Sequence, residues 1–400
     1  MKADPITVTK VAAKRPFHVL VKPVGPVCNL ACDYCFYLDK TGLYPGNTCF
    51  EMRDEVLVAH IRNYIESQPV HCKEVTFGWQ GGEPTLRGVH FFRRVVALQQ
   101  KYVRPGMKIV NTLQTNGVLL NDEWGIFLKQ HHFLVGISID GDEALHDHYR
   151  KTNSGKGSYQ KVIRGLKCLQ KHGVDVNVLT VIQQHNGDHA RRVYQHLVGL
   201  GVQFIQFIPV VEPEPGKGVS CRSVSPEQFG RFMCEVFDCW RENDIGRVFI
   251  SHFDNALGMS LGMPSSSCVH ASVCGENLVA EHNGDVYSCD HLVFPSFRLG
   301  NLAQADYPDL IVTPVQQQFA ASKPEAARLH CLNCPVRGLC NGACPAQRVD
   351  EHGEVSFTSG HYLCKGYYQF FSHISPYLSA MGQCLRRGLP PANYQRFLSL

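Results

Sequence analysis

The stretch CNLACDYCFYL, residues 28–38, places Cys28, Cys32 and Cys35 on one short loop. A closed tetrahedral metal site takes four ligands. Here the loop offers three, and no fourth Cys or His follows closely. Three thiolates can hold three irons of a four-iron cluster, which leaves the last iron open to an outside ligand. Such an open position suits a substrate or cofactor. Phe36 and Tyr37 follow at once and are expected to pack the loop and keep water off it.

The surroundings of the loop indicate the fold. FHVLVKP (17–23) precedes it as an apolar run, and five more runs follow: EVTFGW (74–79), KIVNTL (108–113), FLVGISI (133–139), VDVNVLTVI (174–182) and QFIQFIPV (203–210). Helical spacing separates them. Val56, Leu57, His60, Ile61 and Ile65 share a face within 54–67, and similar patterns cover 89–102 and 122–130. Six strand–helix units in a row imply a parallel sheet with helical crossovers. Six are too few for an eight-fold closure, so a partial (β/α)6 barrel is expected, with a doubly wound sheet as the alternative. In either fold, function gathers at the carboxyl ends of the strands. Those ends read CNLACDYC, QGGEPTL (80–86), QTNG (114–117) and Ser138 with Asp140. They are expected on one rim.

The segment 212–224 is rich in Pro, Gly and Ser and reads as a loop, and a helix over 226–242 closes the first domain. Residues 1–245 are expected to form the barrel, and 246–400 a cysteine-rich domain with a helical tail. A hydrophobic fraction of 44% and a charged fraction of 18% describe a globular protein with a real core. A net charge of +4 gives no reason to expect nucleic acid. The N-terminus has no apolar signal region, and no run of about 18 apolar residues exists to cross a membrane. A cytoplasmic location is expected.

Eighteen cysteines in a reducing compartment favour metal or redox chemistry over disulfides. Besides the first three, eight fall at Cys268-x5-Cys274-x14-Cys289 and Cys331-x2-Cys334-x5-Cys340-x3-Cys344-x19-Cys364. The other seven are scattered and read as small buried hydrophobes. Eight thiols are enough for two fully ligated four-iron clusters or for two zinc sites. Asn283-Gly284, flanked by strand-like residues, signals a two-residue hairpin that delivers Cys289 and Asp290 at a strand end. An acid beside a cluster ligand is a candidate general base or a hydrogen-bond acceptor.

The Cys28-x3-Cys32-x2-Cys35 loop, with Tyr34 before the last cysteine, resembles the cluster loop of radical S-adenosylmethionine enzymes. Gly81-Gly82-Glu83-Pro84 resembles that family's glycine-rich motif, where Gly82 lets the backbone approach the methionine amino group. The resemblance implies that the open iron binds S-adenosylmethionine. It further implies that Tyr34 touches the adenine, that Ser138 and Arg150 contact the rest of the cofactor, and that Val211 offers a backbone contact. The second cysteine field resembles the SPASM extension. By that likeness, Cys268, Cys274, Cys289 and Cys344 hold the nearer auxiliary cluster. Cys331, Cys334, Cys340 and Cys364 hold the farther one.

WQGGEPTL, QTNGVLL, FLVGISIDG and EHNGDVYSCDH together resemble the anaerobic sulfatase-maturating enzymes, from about Phe17 to Tyr377. That likeness implies three [4Fe-4S] clusters and oxidation of one Ser or Cys in a sulfatase polypeptide to Cα-formylglycine without oxygen. Asp290 is then the catalytic base, and an electron donor such as flavodoxin or ferredoxin is required. The peptide is expected in a groove between the domains, with His18, Tyr37, Gln80 and His291 as candidate wall residues. Two alternatives remain at this point. One is another SPASM enzyme that builds thioether or quinone groups in peptides. The other is a zinc-stabilised, non-enzymatic module.

Overall fold

A computed structural model describes residues 12–47 and 49–398. The chain divides into two compact units. The first comprises residues 1–27, 40–112 and 275–318, and the second 28–39, 113–274 and 319–400.

The elements begin with β1 (His18–Lys22), α1 (Asp54–Glu66), β2 (Glu74–Trp79), α2 (Gly88–Tyr102), β3 (Lys108–Thr115), α3 (Asp122–Gln130) and β4 (Leu134–Ser138). They continue with α4 (Glu143–Tyr149), α5 (Tyr159–Lys171), β5 (Asp175–Ile182), α6 (Ala190–Gly199), β6 (Phe204–Pro209), β7 (Pro213–Glu214), β8 (Gly218–Val219) and α7 (Pro226–Asn243). After these come β9 (Phe249–Ile250), α8 (Ser251–Ser260), β10 (Asn277–Glu281), β11 (Asp285–Tyr287) and β12 (Arg298–Asn301). Helices α9 (Tyr307–Ile311), α10 (Pro314–His330), α11 (Arg337–Cys340) and α12 (Cys364–Arg386) complete the chain.

All six expected strands form. In the first unit the strand order is β12-β11-β10-β1-β2, and in the second it is β4-β5-β6-β9. Spatial order follows chain order from β1 to β2 in the first unit and from β4 to β6 in the second. A doubly wound sheet reverses its order at a switch point; β4 to β6 show no reversal, and in the first unit the order turns back only where β10 meets β1. Strands β1 and β2 are parallel, as are β4, β5 and β6. Their apolar residues explain the burial: Val19, Val21, Phe77 and Trp79 are 0% exposed.

Three local expectations change. Of the seven scattered cysteines only Cys239 and Cys384 are buried, and Cys49 and Cys221 are exposed. The 212–224 stretch is not wholly loop, because β7 and β8 pair antiparallel within it. The Asn283-Gly284 hairpin has a three-residue connection, 282–284, with Gly284 at φ +88°. A left-handed third residue is the usual way such a loop closes. The hairpin also has a role that its own sequence does not reveal. Strand β10 lies parallel to β1, with His18 opposite Asn277 and Lys22 opposite Glu281. Residues far along the chain therefore extend the sheet that begins at β1.

In the second unit, α7 starts with a capping box between Ser225 and Gln228 and a proline in its first turn. It packs on α12 through Phe229 and Tyr367, whose rings are 4.9 Å apart. A Cβ at Gly366 would fall 2.3 Å from the Pro226 carbonyl, so the close approach requires glycine there.

Candidate active site

The three-cysteine loop belongs to the second unit and is pinned by its backbone. Ala31 N donates to Lys151 O at 2.8 Å and Asp33 N to Tyr149 O at 3.0 Å. Cys35 N closes a turn on Cys32 O at 3.0 Å. The thiols of Cys28, Cys32 and Cys35 are in no disulfide and are half-buried. Cys28 Sγ accepts from Leu30 N at 3.4 Å and from Asn116 Nδ2 at 3.6 Å. Asn116 comes from the QTNG stretch, so that strand end does reach the loop. Donors aimed at sulfur favour a thiolate, the form that binds iron.

Tyr34 is held from behind. Its hydroxyl donates to Asp140 and accepts from Arg150 Nη1 at 2.7 Å. Asp140 and Arg150 are 1% and 7% exposed. Burial lifts the Asp140 carboxyl above its usual range, against the pull of Arg150, Tyr34 and the Val181 amide. With its hydroxyl engaged by protein, Tyr34 has its ring to offer a planar ligand. Ser138 Oγ accepts from Gln114 Nε2 at 3.4 Å, and Val211 is half-buried. The two aromatics after the loop part ways. Tyr37 is 4% exposed and packs, whereas Phe36 is 51% exposed and does not seal the loop.

The glycine motif lies in the first unit. Gly81 and Gly82 adopt φ of +93° and +52°. A Cβ at Gly82 would sit 2.1 Å from Val27 O, and Glu83 N donates to that same oxygen at 2.9 Å. The turn is thus tucked against the residue that directly precedes Cys28. One Glu83 carboxylate oxygen accepts from Thr85 N and Oγ1 at 2.9 and 2.6 Å, capping the short helical turn that follows.

Asp290 follows Cys289 in the same unit. It forms an ion pair with Lys22, and Gln80 Nε2 donates to it at 2.8 Å. Gln80 is the wall residue that meets Asp290. His18 is at the other end of β1, beside Gly78, and takes no part. Lys22, the ion-pair partner of Asp290, was missed by the sequence reading, and Asp140 was placed at a strand end without its bond to Tyr34. The signal for Lys22 was a lysine closing an apolar strand.

Cys331, Cys334, Cys340 and Cys364 line a single cavity of about 230 Å³, in the second unit. That donor set and volume fit one fully ligated cluster. In the same unit Cys274 has Cys268 and Cys344 as electrostatic neighbours, and burial pushes its thiol up to about 12. Cys289 belongs to the first unit.

A model of the radical SAM superfamily matches residues 23–197, and a SPASM iron–sulfur cluster-binding domain matches 268–335. The serine-type anaerobic sulfatase-maturating enzyme of Bacteroides thetaiotaomicron is 40% identical over 96% of this chain and 95% of its own length. The chain belongs to the anaerobic sulfatase-maturating enzymes. The cysteine-type enzyme of Clostridium perfringens (strain 13 / Type A) is 34% identical over 91% of this chain and 97% of its own. The solved structure of native anSMEcpe with bound AdoMet and Cp18Cys peptide is 33% identical with a TM-score of 0.83, covering 92% of this chain and 99% of that one. The fold is therefore the radical SAM α/β fold with a C-terminal SPASM domain. This sulfatase-maturating enzyme uses iron–sulfur clusters and S-adenosylmethionine, so iron replaces zinc as the reading of its cysteines. Among the described residues no helix is long and apolar enough to cross a membrane.

Proposed function

We propose that this sulfatase-maturating enzyme oxidises a Ser or Cys side chain of a sulfatase polypeptide to Cα-formylglycine without oxygen. Cys28, Cys32 and Cys35 would hold the first of three [4Fe-4S] clusters. Cys268, Cys274, Cys289 and Cys344 would hold a second. Cys331, Cys334, Cys340 and Cys364 would hold the third. When bound, the first cluster and S-adenosylmethionine supply a 5′-deoxyadenosyl radical that takes a hydrogen atom from the target Cβ.

The residues of the chain do the rest. The Gly82 backbone would receive the methionine end of the cofactor, and the Tyr34 ring its adenine. Ser138, Arg150 and the Val211 backbone would border the remainder. Asp290, held by Lys22 and Gln80, would take the hydroxyl or thiol proton. An electron donor such as flavodoxin or ferredoxin would serve the reaction in the cytoplasm. Residues 1–245 would make the radical, and 246–400 would receive the surplus electron.

One observation carries this reading: a half-buried carboxylate, ion-paired to a buried lysine, directly follows a cysteine of the second field. The relatives named serine-type are 39–40% identical and the cysteine-type ones 31–34%, so serine is the target to test first. The test is anaerobic incubation of the iron-loaded enzyme with S-adenosylmethionine, a reductant and sulfatase peptides carrying Ser or Cys. Mass spectrometry should show loss of two hydrogens from the serine peptide. For the cysteine peptide it should also show exchange of sulfur for oxygen. Cleavage of S-adenosylmethionine with both peptides unchanged would reject the assignment.

A further inference from the structure

Two cations are sealed inside the second unit without a carboxylate. Arg348 is 2% exposed and Lys323 0%. Arg348 donates from Nη1 to Phe357 O at 3.0 Å and from Nη2 to Gly342 O at 3.1 Å. Lys323 donates from Nζ to Cys268 O at 2.9 Å and to Val269 O at 2.8 Å. Among the described residues, no Asp or Glu forms an ion pair with either.

A buried charge with no counter-charge costs several kcal/mol, so folded proteins rarely keep one. Carbonyl dipoles orient these cations but do not neutralise them. The acidic groups that act on Arg348 are the thiols of Cys274, Cys331, Cys344 and Cys340. Those that act on Lys323 are Cys274, Cys344, Cys268 and Cys340. Arg348 also lines the cavity of Cys331, Cys334, Cys340 and Cys364. The spacer between Cys340 and Cys344 folds over its guanidinium, for a Cβ at Gly342 would lie 3.2 Å from Nη2. Arg348 therefore adjoins thiols of both proposed auxiliary sets.

A cluster held by four thiolates is anionic and becomes more so on reduction. A fixed cation nearby favours the reduced form and raises the potential. Arginine is always charged in proteins, so its contribution is constant.

We propose that Arg348 and Lys323 are the built-in counter-charges of the auxiliary clusters and set their potentials high enough to accept the substrate's electron. The balance is complete within the reaction above, on which this inference rests. The target loses one hydrogen atom to the adenosyl radical, one proton to Asp290 and one electron to an oxidised auxiliary cluster. The electron then leaves to the protein donor–acceptor partner.

The test uses the full chain with Cys28, Cys32 and Cys35 changed to Ala, so that only auxiliary signals remain. Iron content comes first, then a potentiometric titration followed by electron paramagnetic resonance. A parent without about eight irons would reject the cluster reading itself. With iron present, Arg348→Gln and Lys323→Met should each disfavour reduction at least tenfold, about 59 mV for one electron. Arg348→Lys, which keeps the charge, should stay close to the parent. Iron-loaded Arg348→Gln and Lys323→Met that titrate like the parent would overturn the proposal. Should Arg348→Gln fail to hold iron, retention by Arg348→Lys supports the charge role. Loss from both would overturn it in favour of packing.

Discussion

Lys22 and Asp290 form an ion pair in which the lysine side chain is 2% exposed and the carboxylate 17%. Burial by itself would push the Asp290 carboxyl up. The Lys22 ammonium, His291 and the hydrogen bonds from Lys22 and Gln80 outweigh it and hold the group below the usual carboxylate range. Asp290 is thus ionised at neutral pH and ready to accept a proton. Asp290→Asn should keep its iron and cleave S-adenosylmethionine while losing formylglycine formation by at least about a hundredfold, the usual scale for a positioned base. The readout is the ratio of 5′-deoxyadenosine to oxidised peptide. Lys22→Met should raise that ratio too, with a lower Tm, because removing one partner of a buried pair costs about 3–5 kcal/mol. An unchanged ratio in either variant would remove that residue from the reaction.

His60 predicts a pH dependence of stability. It is 0% exposed and bonds Tyr307 Oη through Nδ1 at 2.7 Å. Burial lowers its pKa from 6.5 to about 3. Below pH 6.5 the unfolded chain takes up a proton that the folded chain refuses, so stability falls as pH drops from there toward 3, by about 1.4 kcal/mol per unit. His60→Gln removes the titrating ring and keeps a hydrogen-bonding partner for Tyr307. The stability difference between wild type and this variant should therefore shrink on acidification, measured as Tm at successive pH values. A constant difference would contradict a buried neutral imidazole.

Much of this was legible in the sequence for a physical reason. Six short apolar runs bounded by turn residues have few stable solutions, and a parallel sheet in chain order is the simplest. Cysteine spacing is legible because thiolates on a short loop can do little else together. Pairings across long stretches of chain are not legible. Nothing local in NLVAE says that β10 lies beside β1, since any apolar strand would serve as its neighbour. Lys323 and Arg348 look like surface cations until burial is known. Phe36 reads as packing from its type alone, yet it faces solvent.

Gly82 offers a steric test of the proposed cofactor cradle. Its φ of +52° is costly for a side chain, and an added Cβ would meet Val27 O at 2.1 Å. Backbone on both sides leaves nothing flexible to yield. Gly82→Ala should push the turn off Val27 and weaken S-adenosylmethionine binding at least tenfold, followed by equilibrium dialysis on iron-loaded protein. Gly88, which has nothing within 4 Å of its added Cβ, is the control at a comparable φ of +68°. Gly88→Ala should retain binding. Equal affinity in the two variants would mean that the turn does not contact the cofactor.

The proposed adenine contact of Tyr34 could use its ring or its hydroxyl. Its hydroxyl is engaged by Asp140 and Arg150, so the cofactor should feel the ring alone. Tyr34→Phe leaves Asp140 with the Val181 amide at 3.0 Å and Arg150 at 4.0 Å. A buried carboxylate that loses a donor costs about 1–3 kcal/mol, to be seen as a lower midpoint in chemical denaturation. Cofactor affinity should change little, because the stacking surface is intact. Tyr34→Ala removes that surface and should lower affinity well beyond Tyr34→Phe at equal iron content. If Tyr34→Phe binds as poorly as Tyr34→Ala, the hydroxyl is the contact. The Asp140–Arg150 pair would then have to release it when the cofactor arrives.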